Sequence, residues 1–158
     1  MNKTLPNYPL STQCFIFDID GTIADCNHRV HHLNGWTKNW AAFNAAMADD
    51  TPIESTIDVM IALSYNHAII LLTGRSEETR DVTEAWLSRH GIAADCLLMR
   101  GADDFRKDWE MKEDFVSEIS DKFDIHGAFD DSEGVLSMMN QRGIKTFDCA
   151  QKREIRLK

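Results

Sequence analysis

Asp18 and Asp20 stand two residues apart, directly after the apolar run CFIF at residues 14–17 and just before Gly21-Thr22. At the end of a strand, side chains two apart can lean to the same side. Two carboxylates that close repel, so such a site must hold a cation or keep one carboxyl protonated. An oxygen-only ligand set suits Mg²⁺. Asp130 and Asp131 follow a second apolar stretch and add carboxylates, enough to complete a cage with water and substrate. Thr73-Gly74-Arg75 closes a third stretch, AIILL. Acids at strand ends are also common as plain solvated loop residues, and the Asp18/Asp20 pair alone does not decide between the two. A calcium-binding EF-hand loop fails on spacing: Gly21 is fourth in the would-be loop rather than sixth, and its twelfth position is Arg29.

The elements that must carry these groups alternate. Apolar runs at 14–17, 68–72, 96–99, 127–129 and 145–149 read as strands, the second ending at Thr73-Gly74. Between them, five segments read as helices. Trp40, Phe43 and Met47 mark a helix within residues 36–47. Pro52 can occupy the first turn of the next, whose apolar face is Ile57, Met60, Ile61 and Leu63. Ser76 is a candidate N-cap for a helix lined by Val82, Trp86 and Leu87 and ended by Gly91; Ser132 is another, for a helix ending at Gly143. Residues 112–119 read as a helix as well. Fully apolar strands alternating with helices imply an α/β fold with a parallel sheet covered on both faces. Ligands of such sheets sit beyond the carboxyl ends of the strands. The unusual polar residues gather at those ends.

Together, DIDGT, an apolar strand ending in TGR, a later lysine and then FDD resemble the haloacid-dehalogenase-type phosphohydrolase superfamily over residues 15–149. The resemblance implies a Rossmann-like sheet of about five strands flanked by helices. It implies a small helical insert, about 24–55, covering the site. It assigns Asp18 as nucleophile, Asp20 as general acid and base with a carboxyl drawn toward neutrality, Thr73 as a donor to the phosphoryl group and Lys112 as its counter-charge. Asp18, the main-chain carbonyl of Asp20, and Asp130 would hold Mg²⁺, with Asp131 in direct or outer contact. A narrower likeness is to the phosphatase half of bacteriophage polynucleotide kinase/3′-phosphatase. Arg29 lies eleven residues after Asp18, Gly74-Arg75 follows Thr73, and Arg106, Lys107, Asp108 and Lys112 keep that family's spacing. By that match Arg29, Gly74, Arg75 and Arg106 contact substrate or organise the site, and Asp108 orients a basic partner. The implied substrate is a 3′-phosphorylated nucleic-acid end; a 3′- or 5′-mononucleotide is the alternative.

Composition bounds these readings. The chain has 158 residues, the length of one domain, with 43% hydrophobic and 27% charged. Its apolar content excludes a disordered chain, and no apolar run reaches the ~20 residues a spanning helix needs. The first residues carry no stretch of signal-peptide length, so a cytoplasmic location is expected, with Cys14, Cys26, Cys96 and Cys149 as reduced thiols. Twenty-six acids against seventeen bases give a net charge of −9, which excludes a broad grip on a nucleic-acid backbone but not recognition of a strand end. The basic-rich tail at 151–158 reads as a solvated terminus. No GxxxxGK[ST] P-loop occurs. A phosphorylatable receiver domain also gathers Asp, Thr and Lys around Mg²⁺, but there the acceptor follows a later strand. In the insert, His28, His31 and His32 read better as groups at the site mouth than as transition-metal ligands, and Trp36 and Trp40 as packing of the cover rather than as stacking surfaces for a base.

Overall fold

The computed structural model describes residues 1–34 and 36–150; the basic-rich tail lies outside the described residues. In chain order the elements are β1 (Thr12–Phe17), β2 (Ala24–Asp25), α1 (Asn27–Val30), α2 (Trp40–Ala45), β3 (Thr51–Pro52), α3 (Glu54–Ser64), β4 (Ala68–Ser76), α4 (Arg80–Arg89), β5 (Cys96–Arg100), α5 (Asp108–Ser120), β6 (Phe123–Asp130), α6 (Glu133–Gln141) and β7 (Thr146–Asp148). Short 3₁₀ turns follow α1, α2 and β4. The five long strands form one parallel sheet in the order β5-β4-β1-β6-β7.

Burial on both faces explains the apolar strands. On one face Cys14, Ile16, Ile70, Leu72, Leu98 and Ala128 pack with Val116 and Ile119 of α5 and Val135 and Met139 of α6. On the other, Phe17, Ile69, Leu71 and Leu97 pack with Trp86 and Leu87 of α4 and Ile57 and Met60 of α3. The aligned positions Phe17, Phe129 and Phe147 stack ring on ring across β1, β6 and β7, at 4.4 Å for each step.

Several sequence expectations change. β4 runs on through Thr73, Gly74 and Arg75 to Ser76, with its register against β5 slipping after Thr73. β6 begins at Phe123, four residues before the apolar run, because its Asp124 and His126 face out. Helix α5 starts at Asp108, so Asp108 and Lys112 are one turn apart on the same face. Pro52 is not in a helix. It pairs with Ala24 in the two-stranded β2–β3 ribbon, and α3 begins two residues later. The helix expected over 36–47 is the shorter α2 followed by a 3₁₀ turn. Ile61 of α3 is exposed. Ser76 caps as expected, its hydroxyl accepting from the Glu78 amide. Ser132 occupies the N-cap of α6, but the Asp130 carboxylate takes its amide. Between the ribbon strands lie α1, α2 and their turns, the segment expected as a cover. Among the described residues no helix is long and apolar enough to cross a membrane.

Candidate active site

The carboxyl ends of β1, β4 and β6 are neighbours because β1 is central. β1 stops at Phe17, and the Asp18 amide donates to Phe129 O, keeping Asp18 against β6. Gly21 turns the chain with φ of +77°, and a Cβ there would lie 2.0 Å from an Asp131 oxygen. Only glycine satisfies both the backbone and this approach.

Two charge clusters result. In the first, Asp18, Asp130 and Asp131 each place a carboxylate oxygen within 4.8 Å of the others. Lys112 Nζ sits among the acids, 3.0 Å from Asp18 Oδ1, 2.8 Å from Asp130 Oδ2 and 3.1 Å from Asp108 Oδ2. Asp130 is fixed at both oxygens, since its Oδ1 accepts from the Ser132 amide at 2.8 Å. Asp108 is also bonded by Arg100 Nη2 at 3.0 Å, and Arg100 Nε donates to Gly74 O. Gly74 makes this packing possible: a Cβ there would meet Asp108 Oδ1 at 2.4 Å. Thr73, buried, lies on the adjacent strand and accepts from the Arg75 amide.

In the second cluster, Arg29 and Arg75 share two carboxylates. Arg29 Nη2 lies 2.6 Å from Asp20 Oδ1 and Nε 2.7 Å from Asp50 Oδ1. Arg75 Nη2 lies 2.5 Å from Asp20 Oδ1 and 2.7 Å from Asp50 Oδ2. Asp50 also meets His28 Nε2 at 2.9 Å, and its carbonyl accepts from the Trp86 indole.

These surroundings move the carboxyls in opposite directions. Burial pushes Asp18 well above its ordinary value; Lys112 pulls the other way, while Asp130, Asp108 and Asp20 add to the rise. Asp131 is raised to about 6, by burial and then by Asp130. Burial favours neutral Lys112 too, but the acids around it override this and hold it charged. For Asp20 burial is outweighed by the Arg75 and Arg29 guanidiniums, which leave it below its ordinary value. The expectation of an Asp20 carboxyl drawn toward neutrality is therefore reversed in this state.

The paired-aspartate reading also changes. Asp18 and Asp20 do not share a cation cluster; the Asp20 carboxylate belongs to the arginines. The strand ends before Asp18, so the two-residue alternation that would aim both side chains alike no longer applies. An all-oxygen set of three crowded carboxylates fits Mg²⁺ in ligand type, and the buried Asp18 Oδ1 atom is met only by the Lys112 ammonium, without a well-directed hydrogen bond.

Arg29 is fully buried and Arg75 nearly so; both organise carboxylates. Arg106 is not drawn in: half-exposed, it pairs with Asp104 and Asp114 on the outside of the β5–α5 connection. Sequence reasoning missed Asp50 and Arg100. Asp50 carried no local sequence signal, because its pairing with Arg29 and Arg75 arises only in the fold. Arg100 ends a strand, the same placement that marked Thr73. The tryptophans overturn the packing expectation: Trp36 and Trp40 are exposed.

A parallel five-stranded α/β sheet with these groups at its carboxyl edge defines a haloacid-dehalogenase-type phosphatase. Within that class, the family model for the polynucleotide kinase PNKP phosphatase domain matches residues 12–153, and the chain belongs to that family. It is similar to a chain of the Pnkp1/Rnl/Hen1 complex, with 29% identity and a TM-score of 0.73 over 87% of this chain and 46% of that one. A second structure, of the Pnkp1/Rnl/Hen1 RNA repair complex, gives 25% identity and a TM-score of 0.75 over 94% and 46%. This chain thus spans about half the length of those relatives. The class C acid phosphatase from Bacillus anthracis with tungstate bound shares the fold, at 17% identity and a TM-score of 0.64 over 90% of this chain and 68% of that one.

Proposed function

We propose that this chain is a Mg²⁺-dependent phosphomonoesterase that works through an aspartyl-phosphate and removes the 3′-phosphate from a nucleic-acid end. The observation that carries the chemistry is the convergence of buried Asp18, Asp130 and Lys112 with Asp131 beside Thr73, in a chain of this phosphatase family.

Asp18 is the nucleophile. One of its oxygens bonds to phosphorus as the ester P–O bond breaks. Asp20 gives a proton to the departing oxygen and then takes one from the attacking water; that attack frees phosphate and the Asp18 carboxylate. Thr73 and Lys112 stabilise the transferring phosphoryl oxygens. Asp18, Asp130 and Asp131 would hold Mg²⁺, together with the main-chain carbonyl of Asp20. When bound, the ion supplies positive charge that favours the ionised form of Asp18. Because the arginines hold Asp20 ionised, its acid role belongs to a state in which their grip is looser than in the structure described. Asp108 orients Lys112, Gly74 makes room for Asp108, and Arg106 on the rim is the remaining candidate for contact with the substrate chain.

For the substrate, support comes from the family match and from the RNA repair complex to which a similar chain belongs. The net charge of −9 favours a second reading, a phosphatase of mononucleotides. A cytoplasmic setting suits the free thiols. Phosphate release should be compared for a 3′-phosphorylated oligonucleotide, 3′- and 5′-mononucleotides and an aryl phosphate, with Mg²⁺ and with chelator. Preference for the 3′-phosphorylated oligonucleotide and silence in chelator are expected. Good turnover of 5′-mononucleotides with none at 3′-ends would replace the substrate assignment and leave the chemistry.

A further inference from the structure

The cover is electrostatically unlike the rest of the chain. The protein has 26 acids and a net charge of −9, yet no Asp or Glu lies between Asp25 and Asp49. That interval holds Arg29, Lys38, His28, His31 and His32. It also presents large aromatic surface: Trp36 is 106% exposed and Trp40 53%. Tryptophan is among the residues most covered on average, so two neighbouring exposed indoles are unusual. Core packing does not account for them. Trp40 meets Phe43 only edge-on, at 5.8 Å, and Lys38 Nζ stands 5.6 Å from the Trp40 ring centre.

This face is continuous with the candidate active site. Asp20 is bonded by Arg29, the Arg29 guanidinium carbon lies 4.1 Å from the Phe43 ring centre, and the edge of Phe43 meets Trp40. A carboxylate, a guanidinium, a phenyl ring and an indole thus run in contact from the buried site to the surface. An acid-free stretch of chain, a cation and exposed indoles together match a polyanion with flat apolar faces.

We propose that Trp36, Lys38 and Trp40 form a platform on which the bases of a single-stranded nucleic acid stack while its 3′-phosphate occupies the Asp18 site, Lys38 meeting the backbone. This rests on the strand-end reading of the substrate given above. Stacking on indole tolerates any base, so the platform selects for an unpaired end rather than a sequence; a duplex hides the base faces that it needs.

The test uses the full chain with Mg²⁺ and a ladder of 3′-phosphorylated oligothymidylates from one to five nucleotides. KM should fall as the chain lengthens to about three nucleotides. Trp36→Ala, and Trp40→Leu, which keeps an apolar contact for Phe43, should each raise KM on the pentamer about tenfold. Both should leave kcat on the pentamer, and kcat/KM on an aryl phosphate, within about twofold. Lys38→Ala should weaken the pentamer about threefold and flatten its salt dependence. Equal KM for wild type and both tryptophan variants, or equal affinity for duplex and single-stranded ends, would overturn the platform while leaving the phosphatase reading intact. If wild type ignores 3′-phosphorylated strands, the strand-end reading fails instead. Tryptophan emission of the inactive Asp18→Asn protein titrated with the pentamer then decides: quenching that Trp36→Ala removes upholds the platform, and no quenching overturns it.

Discussion

The two charge clusters at the sheet edge differ in balance. Arg29 and Arg75 face Asp20 and Asp50, two positive charges against two negative, and the set closes on itself. Around Lys112 the acids outnumber the bases: Asp18, Asp108, Asp130 and Asp131 face Lys112 and, through Asp108, Arg100. A balanced buried set holds its parts in one arrangement. A set with surplus negative charge is destabilised by its own repulsion and has reason to take up a cation. What the second has left over is negative charge, whereas the first is neutral and leaves only the Arg29 Nη1 atom without a hydrogen bond.

The comparison can be broken at either cluster. The largest effect should be on turnover: Asp18→Asn should lower phosphate release by at least about a thousandfold, because an amide cannot form the aspartyl-phosphate. Its melting temperature should not fall, since one crowded carboxylate has been removed; single-turnover phosphate release and a thermal melt read both. Asp50→Ala should act chiefly on stability. It strands two buried guanidiniums, at a cost of about 3–5 kcal/mol in urea unfolding. An unchanged urea midpoint would show that the clamp is not structural. Arg29→Lys and Arg75→Lys should come next, with kcat/KM lower by about tenfold, because lysine cannot reproduce a fork shared by two carboxylates. The arginines are spent on Asp20 and Asp50, so the loss should be equal on an aryl phosphate and on an oligonucleotide. A loss confined to the oligonucleotide would make them substrate contacts.

The smallest effect concerns pH. In metal-free protein the raised Asp131 carboxyl keeps its proton to about pH 6, while the unfolded chain has lost its own near pH 4. The native state binds more protons across that window, so stability should fall as pH rises through it. Mg²⁺ should restore it above pH 6, raising the melting temperature at pH 7.5 by about 3–5 °C at tenfold its Kd, and by little at pH 5, where protons compete. An equal rise at both pH values would separate the ion from these carboxylates.

The strands were legible because burial on both faces writes itself as uninterrupted apolar residues, and the site because its unusual groups all stand where those runs stop. Asp18 and Asp130 needed no more than that; Lys112, one turn inside α5, was assigned through the family resemblance. What escaped was set by contacts between distant parts of the chain. Asp50 went unread, since nothing local shows that Arg29 and Arg75 enclose it. Asp20 looked like a partner of Asp18 until the end of β1 separated their directions. Trp36 and Trp40 were misread because tryptophan is usually covered, and covering is a property of the whole molecule. The polar half of β6 was invisible for a simpler reason: Asp124 and His126 lie on a stretch of strand that is exposed.

The position of β1 at the middle of the sheet has a consequence for synthesis. Phe15 aligns with Ile69 on one side and Gly127 on the other. Asp18 is made before Asp130 and Asp131, and the strand bringing those two acids to it is more than a hundred residues further along the chain. At roughly 5–20 residues per second, a ribosome needs on the order of ten seconds to bridge that interval. Until then the nascent chain carries Asp18 without the two acids that cluster with it in the folded protein. The three-carboxylate cluster therefore assembles only after β6 has been made and has paired with β1.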